Sequence, residues 1–232
     1  MKINSNSTFV KHHSWWDYNF TQADGTPLNL PDRVGIYEKN TGMLWRHSDY
    51  TLYQGRQGRE LVLTHINTIS NYDYTFNWVF TQCGEIRLEL IPSGVIETDS
   101  IGITKLTEED EGINLVYPNI NGLNHSHQAC VRIDFAIDGH TNSVEESNLI
   151  LDPVSETNPY GNVFREESIL LETEKQSLRD NDFSQSRKWR VFNPNSKNVT
   201  GHERGYENNP HPNSTLINPN ARIAKRASYM IH

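Results

Sequence analysis

The sequence predicts a mainly β fold, most simply a β-sandwich, with loop-rich termini. Three segments show period-two alternation, which sends alternate side chains to opposite faces of a strand. The sequence contains neither a heptad pattern nor a repeat of fixed period. Hydrophobic residues make up 35% of its 232 residues, which is a low share but allows one sizeable core.

The first 30 residues are polar and rich in Asn and Ser, apart from an aromatic cluster at Trp15, Trp16 and Tyr18. We predict that residues 1–30 form a loosely held N-terminal arm with a turn at residues 24–27. Residues 31–232 are then predicted to form one β-sandwich domain.

The strongest strand signal lies between residues 33 and 97. Residues 60–69 are dense in Leu, Val, Thr and Ile and contain no Gly or Pro, which predicts a buried strand. Residues 72–80 alternate aromatic side chains with smaller ones, and residues 86–90 alternate aliphatic with charged ones. With a turn at residues 81–84, these two runs predict a β-hairpin with one apolar face.

The remaining strand signals are shorter. Residues 105–112 are predicted to form an acidic loop. In residues 131–137, apolar and polar side chains alternate, which predicts a strand that leads into a turn at Asp138-Gly139. A further strand is predicted at residues 188–192, ended by Asn193-Pro194-Asn195. Beyond it we predict loop as far as a basic stretch at residues 222–226.

The composition argues against two classes of partner. The formal net charge is −8, whereas binding to nucleic acid needs a basic face. No apolar run approaches the roughly 20 residues that span a bilayer. The first 16 residues contain no hydrophobic signal-peptide core, so we predict an intracellular location, cytoplasmic or peroxisomal. Cys83 and Cys130 are expected to be reduced thiols.

The first candidate for chemistry is His125-Ser126-His127. On a strand, His125 and His127 would project to the same face. Both positions are odd-numbered, as are Val131 and Ile133, so we expect the two histidines to point toward the core. Two neutral imidazoles aimed at one point bind Cu(II) or Zn(II), but a complete site needs a third ligand from elsewhere. Taken alone, such a pair is more often an ordinary pair of histidines.

The second candidate is Tyr72, a phenol at the start of the alternating strand, flanked by Asn71 and Asp73. Taken alone, it is most simply a buried aromatic residue whose hydroxyl is hydrogen-bonded.

Taken together, these segments resemble the copper amine oxidase family. The stretch Thr68-Ile69-Ser70-Asn71-Tyr72-Asp73-Tyr74 resembles the family's signature around the tyrosine that becomes topaquinone. Further segments match the family in the same order along the chain, between about residue 24 and residue 229: Leu44-Trp45-Arg46-His47-Ser48-Asp49-Tyr50, Tyr117-Pro118-Asn119, His125-Ser126-His127, Arg132-Ile133-Asp134, Asp138-Gly139, Asn193-Pro194-Asn195, Gly201-His202 and Gly205-Tyr206.

The resemblance implies part of the family's catalytic β-domain, a β-supersandwich. It implies that Tyr72 is the topaquinone precursor, that Asn71 and Asp73 flank it and restrict its ring, and that His125 and His127 are two of three copper(II) ligands. The implied reaction is oxidation of a primary amine by O₂ to an aldehyde, ammonia and hydrogen peroxide. The family also implies a homodimer.

The sequence departs from the family pattern at three places. The family's catalytic aspartate lies further ahead of the quinone tyrosine than this chain extends, so we expect the base to be absent and do not assign Asp17 or Asp32 to it. The third copper histidine is likewise expected to be absent, since His232 is outside the family's motif. A calcium or manganese site is doubtful, because Ala136 replaces the second aspartate that would join Asp134.

Three hypotheses therefore stay open from the sequence. The first is a copper- and topaquinone-dependent primary amine oxidase, present as a truncated chain. The second is a catalytically inactive β-sandwich that serves in interaction or dimerisation. The third is a small zinc- or copper-binding protein that uses His125 and His127.

Overall fold

The structure is a computed structural model that describes residues 13–129, 131–209, 220 and 222. The chain divides into two compact units, Met1–Ser126 and His127–His232. Within the described residues there are twelve β-strands and one short 3-10 helix, Phe183–Gln185. All strand pairs are antiparallel, which confirms the prediction of a mainly β fold.

The first unit contains a five-stranded sheet in which each strand pairs with the next along the chain. Its strands are β1 His13–Thr21, β2 Pro27–Ser48, β3 Tyr53–Ile69, β4 Tyr72–Thr81 and β5 Ile86–Gly94. A small three-stranded sheet follows, with β8 between its two neighbours. Its strands are β6 Thr98–Ser100, β7 Leu115–Tyr117 and β8 Ile120–Gly122.

The predicted loose arm at residues 1–30 is corrected for the part that the structure describes. Residues 13–21 form β1, which pairs with the first part of β2 from Thr21↔Pro27 to His13↔Tyr37. A ladder of backbone hydrogen bonds therefore fixes this segment, and its aromatic residues suit a strand. Residues 1–12 lie outside the described part of the chain.

The predicted hairpin of residues 72–90 is confirmed as β4 and β5, but the face that it buries differs from the expected one. Val79 is 0% exposed and Asn77 is 7% exposed, whereas Trp78 on the opposite, aromatic face is 36% exposed. A long side chain explains this result, because Arg87 stands opposite Val79 in the ladder and reaches Glu60 on the far side of β4, so it must pass over this face.

The covered face of this sheet is strongly polar. The Glu60 carboxylate is 9% exposed, accepts a hydrogen bond from Arg87 Nη2 at 2.7 Å and lies 3.7 Å from Lys39 Nζ. The hydrogen bond to Glu60 raises the pKa of the Arg87 guanidinium. Burial, together with the charge of Glu89, raises the pKa of Tyr37. This face therefore places an ion-paired carboxylate above a small apolar centre, and removing one partner of the pair would leave a costly buried charge.

The second unit contains a four-stranded sheet in the order β10-β9-β11-β12. The strands are β9 Ser143–Leu151, β10 Phe164–Leu171, β11 Lys188–Lys197 and β12 Glu203–Asn208. Leu171 and Val191 form its buried apolar residues, beside the buried carboxylate of Glu146, which lies 3.3 Å from Arg187.

The strand predicted at residues 188–192 is confirmed, but it continues past its predicted end to Lys197. The register shifts between Asn193 and Lys197, so a bulge accommodates Pro194. The Asn193 side-chain amide donates to the carbonyl of Ile137 at 2.7 Å and holds this segment in place. Strand β12 falls in the segment that the sequence predicts as loop.

The strand predicted at residues 131–137 is wrong, and so is the placement of the two histidines on a strand that faces the core. Residues 123–129 and 131–136 lie outside all the strands of the described chain, and Val131 is 53% exposed. Alternation alone does not form a strand when no neighbouring strand provides a ladder. The predicted turn at Asp138-Gly139 is confirmed, with φ values of 49° and 132°.

Candidate metal and cofactor site

Tyr72 lies at the first position of β4, directly after the two-residue turn of Ser70 and Asn71. Ser70 has a φ of 56°, which reverses the chain within two residues. Across the hairpin, the Thr68 hydroxyl donates to the Asp73 carboxylate at 2.5 Å. The turn and this bond together fix the start of β4, where Tyr72 lies next to Asp73.

The Tyr72 hydroxyl meets the chain again after β5. The Glu97 backbone N–H donates to the Tyr72 phenol oxygen at 2.9 Å. The Asn71 carbonyl accepts from the Val95 N–H, also at 2.9 Å. Two backbone groups of residues 95–97 thus bind the beginning of β4, and they hold the half-buried Tyr72 ring in one orientation.

His125 contacts the Tyr72 ring. The two ring centroids are 5.3 Å apart and the rings are inclined at 61°, an edge-to-face arrangement. His125 Nδ1 lies 2.7 Å from the Leu123 carbonyl oxygen. Because a carbonyl only accepts, we assign the hydrogen to Nδ1, which gives Nε2 the lone pair that a metal ion needs.

Within the first unit, the structure brings His125 together with Tyr72 and its neighbours Asn71 and Asp73. His127 is exposed and belongs to the second unit. Among the described residues there is no group of three or more His, Cys, Asp or Glu side chains placed to hold a metal ion. Imidazole nitrogen is a ligand type that copper binds, and the assigned tautomer of His125 leaves Nε2 able to act as such a ligand. The described part of the chain therefore provides a fitting but partial donor set.

The backbone groups that hold this site are not marked by any side-chain pattern. They are the N–H of Glu97 and the carbonyl of Leu123, and nearly every residue type supplies the same two groups. The one available signal is Gly94, which follows Pro92-Ser93 at the end of an alternating run. Glycine at such a place indicates a close backbone approach.

Comparison with known proteins decides the family. Residues 6–232 match the family described as "Copper amine oxidase, enzyme domain". The chain belongs to the copper amine oxidase family. Residues 6–232 span most of the chain, so both described units fall within the enzyme domain of a copper amine oxidase.

Individual relatives agree with this assignment. The chain is 33% identical over 211 residues to histamine oxidase of Arthrobacter globiformis, covering 90% of this chain and 30% of that protein. It is 35% identical over 191 residues to peroxisomal primary amine oxidase of Pichia angusta, covering 78% of this chain and 27% of that protein. The chain thus spans about 30% of the length of such a copper amine oxidase.

A solved structure shows the same fold. The crystal structure of a copper-containing benzylamine oxidase from Hansenula polymorpha aligns with a TM-score of 0.78 at 24% identity, covering 94% of this chain and 34% of that one. Copper amine oxidases use copper and topaquinone, and the partial donor set of this chain fits the first of these.

In the described part of the chain, no helix has the length and apolar character of a membrane span.

Proposed function

We propose that this chain is the cofactor-bearing part of a primary amine oxidase, with Tyr72 as the precursor of topaquinone. The observation that carries the proposal is the edge-to-face contact of Tyr72 with His125 at 5.3 Å. It places an oxidisable phenol beside an imidazole whose Nε2 is oriented by the bond at Nδ1. Membership of the copper amine oxidase family supports the same assignment.

In this proposal, His125 and His127 are two of the copper ligands, and a further ligand completes the site. When bound, copper and topaquinone supply the redox chemistry that converts a primary amine, O₂ and water into an aldehyde, ammonia and hydrogen peroxide. The protein groups have simpler tasks. The Glu97 peptide orients the Tyr72 ring, and Asn71 and Asp73 fix the turn from which it projects. We propose no calcium or manganese site at Asp134, because Ala136 replaces the second aspartate.

Whole relatives carry several amine-oxidase names, so the substrate class proposed for this chain is the primary amines in general. The family also suggests a homodimer. Relatives from Pichia angusta and Nicotiana tabacum are named as peroxisomal. We therefore propose that the protein is located in peroxisomes or in the cytoplasm. Imaging of the tagged protein in its own cells tests this location.

The test of the proposed function uses the full chain with copper(II) sulfate in air-saturated buffer. We expect redox-cycling stain on the protein and a changed mass for the peptide that holds Tyr72. Tyr72→Phe should abolish both signals, whereas Tyr74→Phe, which removes a phenol from the same strand and face, should keep them. An unmodified Tyr72 at saturating copper would show that this chain does not make its own cofactor.

A second candidate function is a catalytically inactive module that binds other proteins. The exposed aromatic face of the first sheet favours it, since Trp78, Phe80 and Ile86 are each more than a third exposed. Release of hydrogen peroxide with a simple primary amine such as benzylamine would refute this alternative. A protein that binds copper but leaves Tyr72 unmodified would instead support the hypothesis of a small metal-binding protein.

A further inference from the structure

At Gly94, strand β5 passes unusually close to the turn that holds Tyr72. Gly94 pairs with Tyr72 in the ladder and has a φ of 107°, a conformation that residues with a side chain rarely adopt. A methyl group at Gly94 would lie 2.8 Å from Tyr72 Cα and closer still to the Asn71 carbonyl oxygen. Since both neighbours are backbone atoms, they have no flexible end with which to give way.

A continuous series of hydrogen bonds begins just after this approach. The Glu97 N–H donates to the Tyr72 phenol oxygen at 2.9 Å. The Glu97 carbonyl accepts from the Leu123 N–H, also at 2.9 Å. The Leu123 carbonyl in turn lies 2.7 Å from His125 Nδ1. The phenol and the imidazole are therefore both held by the same backbone, through the peptide groups of Glu97 and Leu123.

We propose that Gly94 is a positioning residue for Tyr72, and through Glu97 and Leu123 for His125. Glycine lets the chain after β5 pass against the turn, which brings the Glu97 N–H within reach of the phenol. Any side chain at this position pushes the segment outward and breaks the first bond of the series. This inference rests on the proposed role of Tyr72, but the hydrogen bonds themselves exist without copper.

The consequence is a fixed orientation of the Tyr72 ring. A phenol oxygen that accepts an N–H directs its own hydrogen elsewhere, and the bond fixes the position of that oxygen relative to the backbone. The ring is thereby kept in its edge contact with His125. A reaction at one ring edge gains from such preorganisation, since the reacting atoms need no reorientation.

The chain offers a matched control at Gly84, which has a φ of 90° but no atom within 4 Å of the position that an added methyl group would take. Gly94→Ala and Gly84→Ala therefore share the backbone strain, while only Gly94→Ala meets the Tyr72 turn. We would compare amide hydrogen exchange of the metal-free full chain by NMR in both variants, in Tyr72→Phe and in the unsubstituted protein.

We expect the Glu97 amide to exchange at least about fivefold faster in Gly94→Ala and in Tyr72→Phe, the size of effect that follows the loss of one hydrogen bond. In Gly84→Ala it should be unchanged, and the amide of Val62 in β3 should be unchanged in every variant that is folded. Equal Glu97 exchange in Gly94→Ala and Gly84→Ala would overturn the proposal. If Gly94→Ala does not fold, unchanged Glu97 exchange in Tyr72→Phe overturns it instead.

A second measurement links the geometry to the cofactor. With copper(II) sulfate and air, the quinone absorbance should develop more slowly in Gly94→Ala than in Gly84→Ala at equal folded concentration. Equal rates would overturn the positioning role. If the unsubstituted protein forms no quinone, the proposed function fails, and the exchange experiment alone decides whether Gly94 positions Tyr72.

Discussion

The ring of His125 meets the ring of Tyr72 edge-on, with the centroids 5.3 Å apart, although His125 follows β8 and Tyr72 begins β4. The contact has two separable parts. One is the packing of two aromatic rings, and the other is the Nε2 atom of the imidazole, which the bond between Nδ1 and Leu123 orients. A substitution that keeps the ring and removes the nitrogens separates them.

We expect His125→Phe to fold normally and to lose at least about tenfold in copper(II) affinity, since it keeps ring packing against Tyr72 but has no ligand atom. Isothermal titration calorimetry with copper(II) measures the change. His65→Gln, which alters a histidine elsewhere in the same unit, serves as the control and should bind copper normally. Unchanged affinity in His125→Phe would remove His125 from the metal site.

Val79→Ala should destabilise the first unit by about 2 kcal/mol, because it removes buried methyl groups from a side chain that is 0% exposed. Urea unfolding followed by tryptophan fluorescence measures this value. Trp189 is the one tryptophan of the second unit, so a Trp189→Phe background confines the signal to the first. Val95→Ala, at an exposed position, should change the stability by less than about 0.5 kcal/mol.

Arg87→Met should destabilise the first unit by about 1–3 kcal/mol, because it leaves the buried Glu60 carboxylate without its 2.7 Å partner. We expect the lower end of this range, since about a third of the Arg87 side chain is exposed to water. Adding Glu60→Gln should recover part of the loss, because it removes a buried charge that then has only the 3.7 Å contact with Lys39. If the double variant is less stable than Arg87→Met, the poorly paired charge of Glu60 is not the cause.

The stability of the first unit should fall in mild acid because of His65. Its ring stacks on Phe76 with centroids 4.9 Å apart, and burial lowers the pKa of His65 below its ordinary value of 6.5. The unfolded chain therefore binds the proton more tightly, and stability is lost as the pH falls below about 6.5. His65→Phe should flatten the dependence of unfolding free energy on pH between 8 and about 5. An identical slope in both proteins would assign the effect to other groups.

Ser70→Gly should raise the stability of the first unit by up to about 1 kcal/mol, because Ser70 has a φ of 56°, where a Cβ atom is unfavourable. Ser70→Ala keeps the Cβ atom and should give no gain. Thermal unfolding of the three proteins measures the difference. A gain in Ser70→Ala as large as in Ser70→Gly would show that the hydroxyl, and not the backbone conformation, is the source of the strain.

Much of the first sheet was predictable from residue order alone, because the alternation in residues 72–90 depends on the two-residue period of a strand. The resemblance likewise identified Tyr72 and His125 as candidates, and the structure brings these two side chains together. The face that Val79 occupies was not predictable, since cover by Arg87 depends on register across three strands. Gly94 signals a close backbone approach in the sequence, but its proposed role was not predictable, because it acts through the peptide groups of its neighbours.

The strand order of the two larger sheets has a further consequence for folding kinetics. In the first unit every strand pairs with its successor, so the sheet grows by closing one short loop after another. In the second, β9 pairs with β10 and β11 with β12, but β11 also pairs with β9 across the whole of β10, which requires closure of a longer loop before the four strands join in one sheet. Rates of this kind fall as the sequence separation of contacts grows. We expect the strand that begins at Tyr72 to complete its pairing before the sheet of the second unit is assembled.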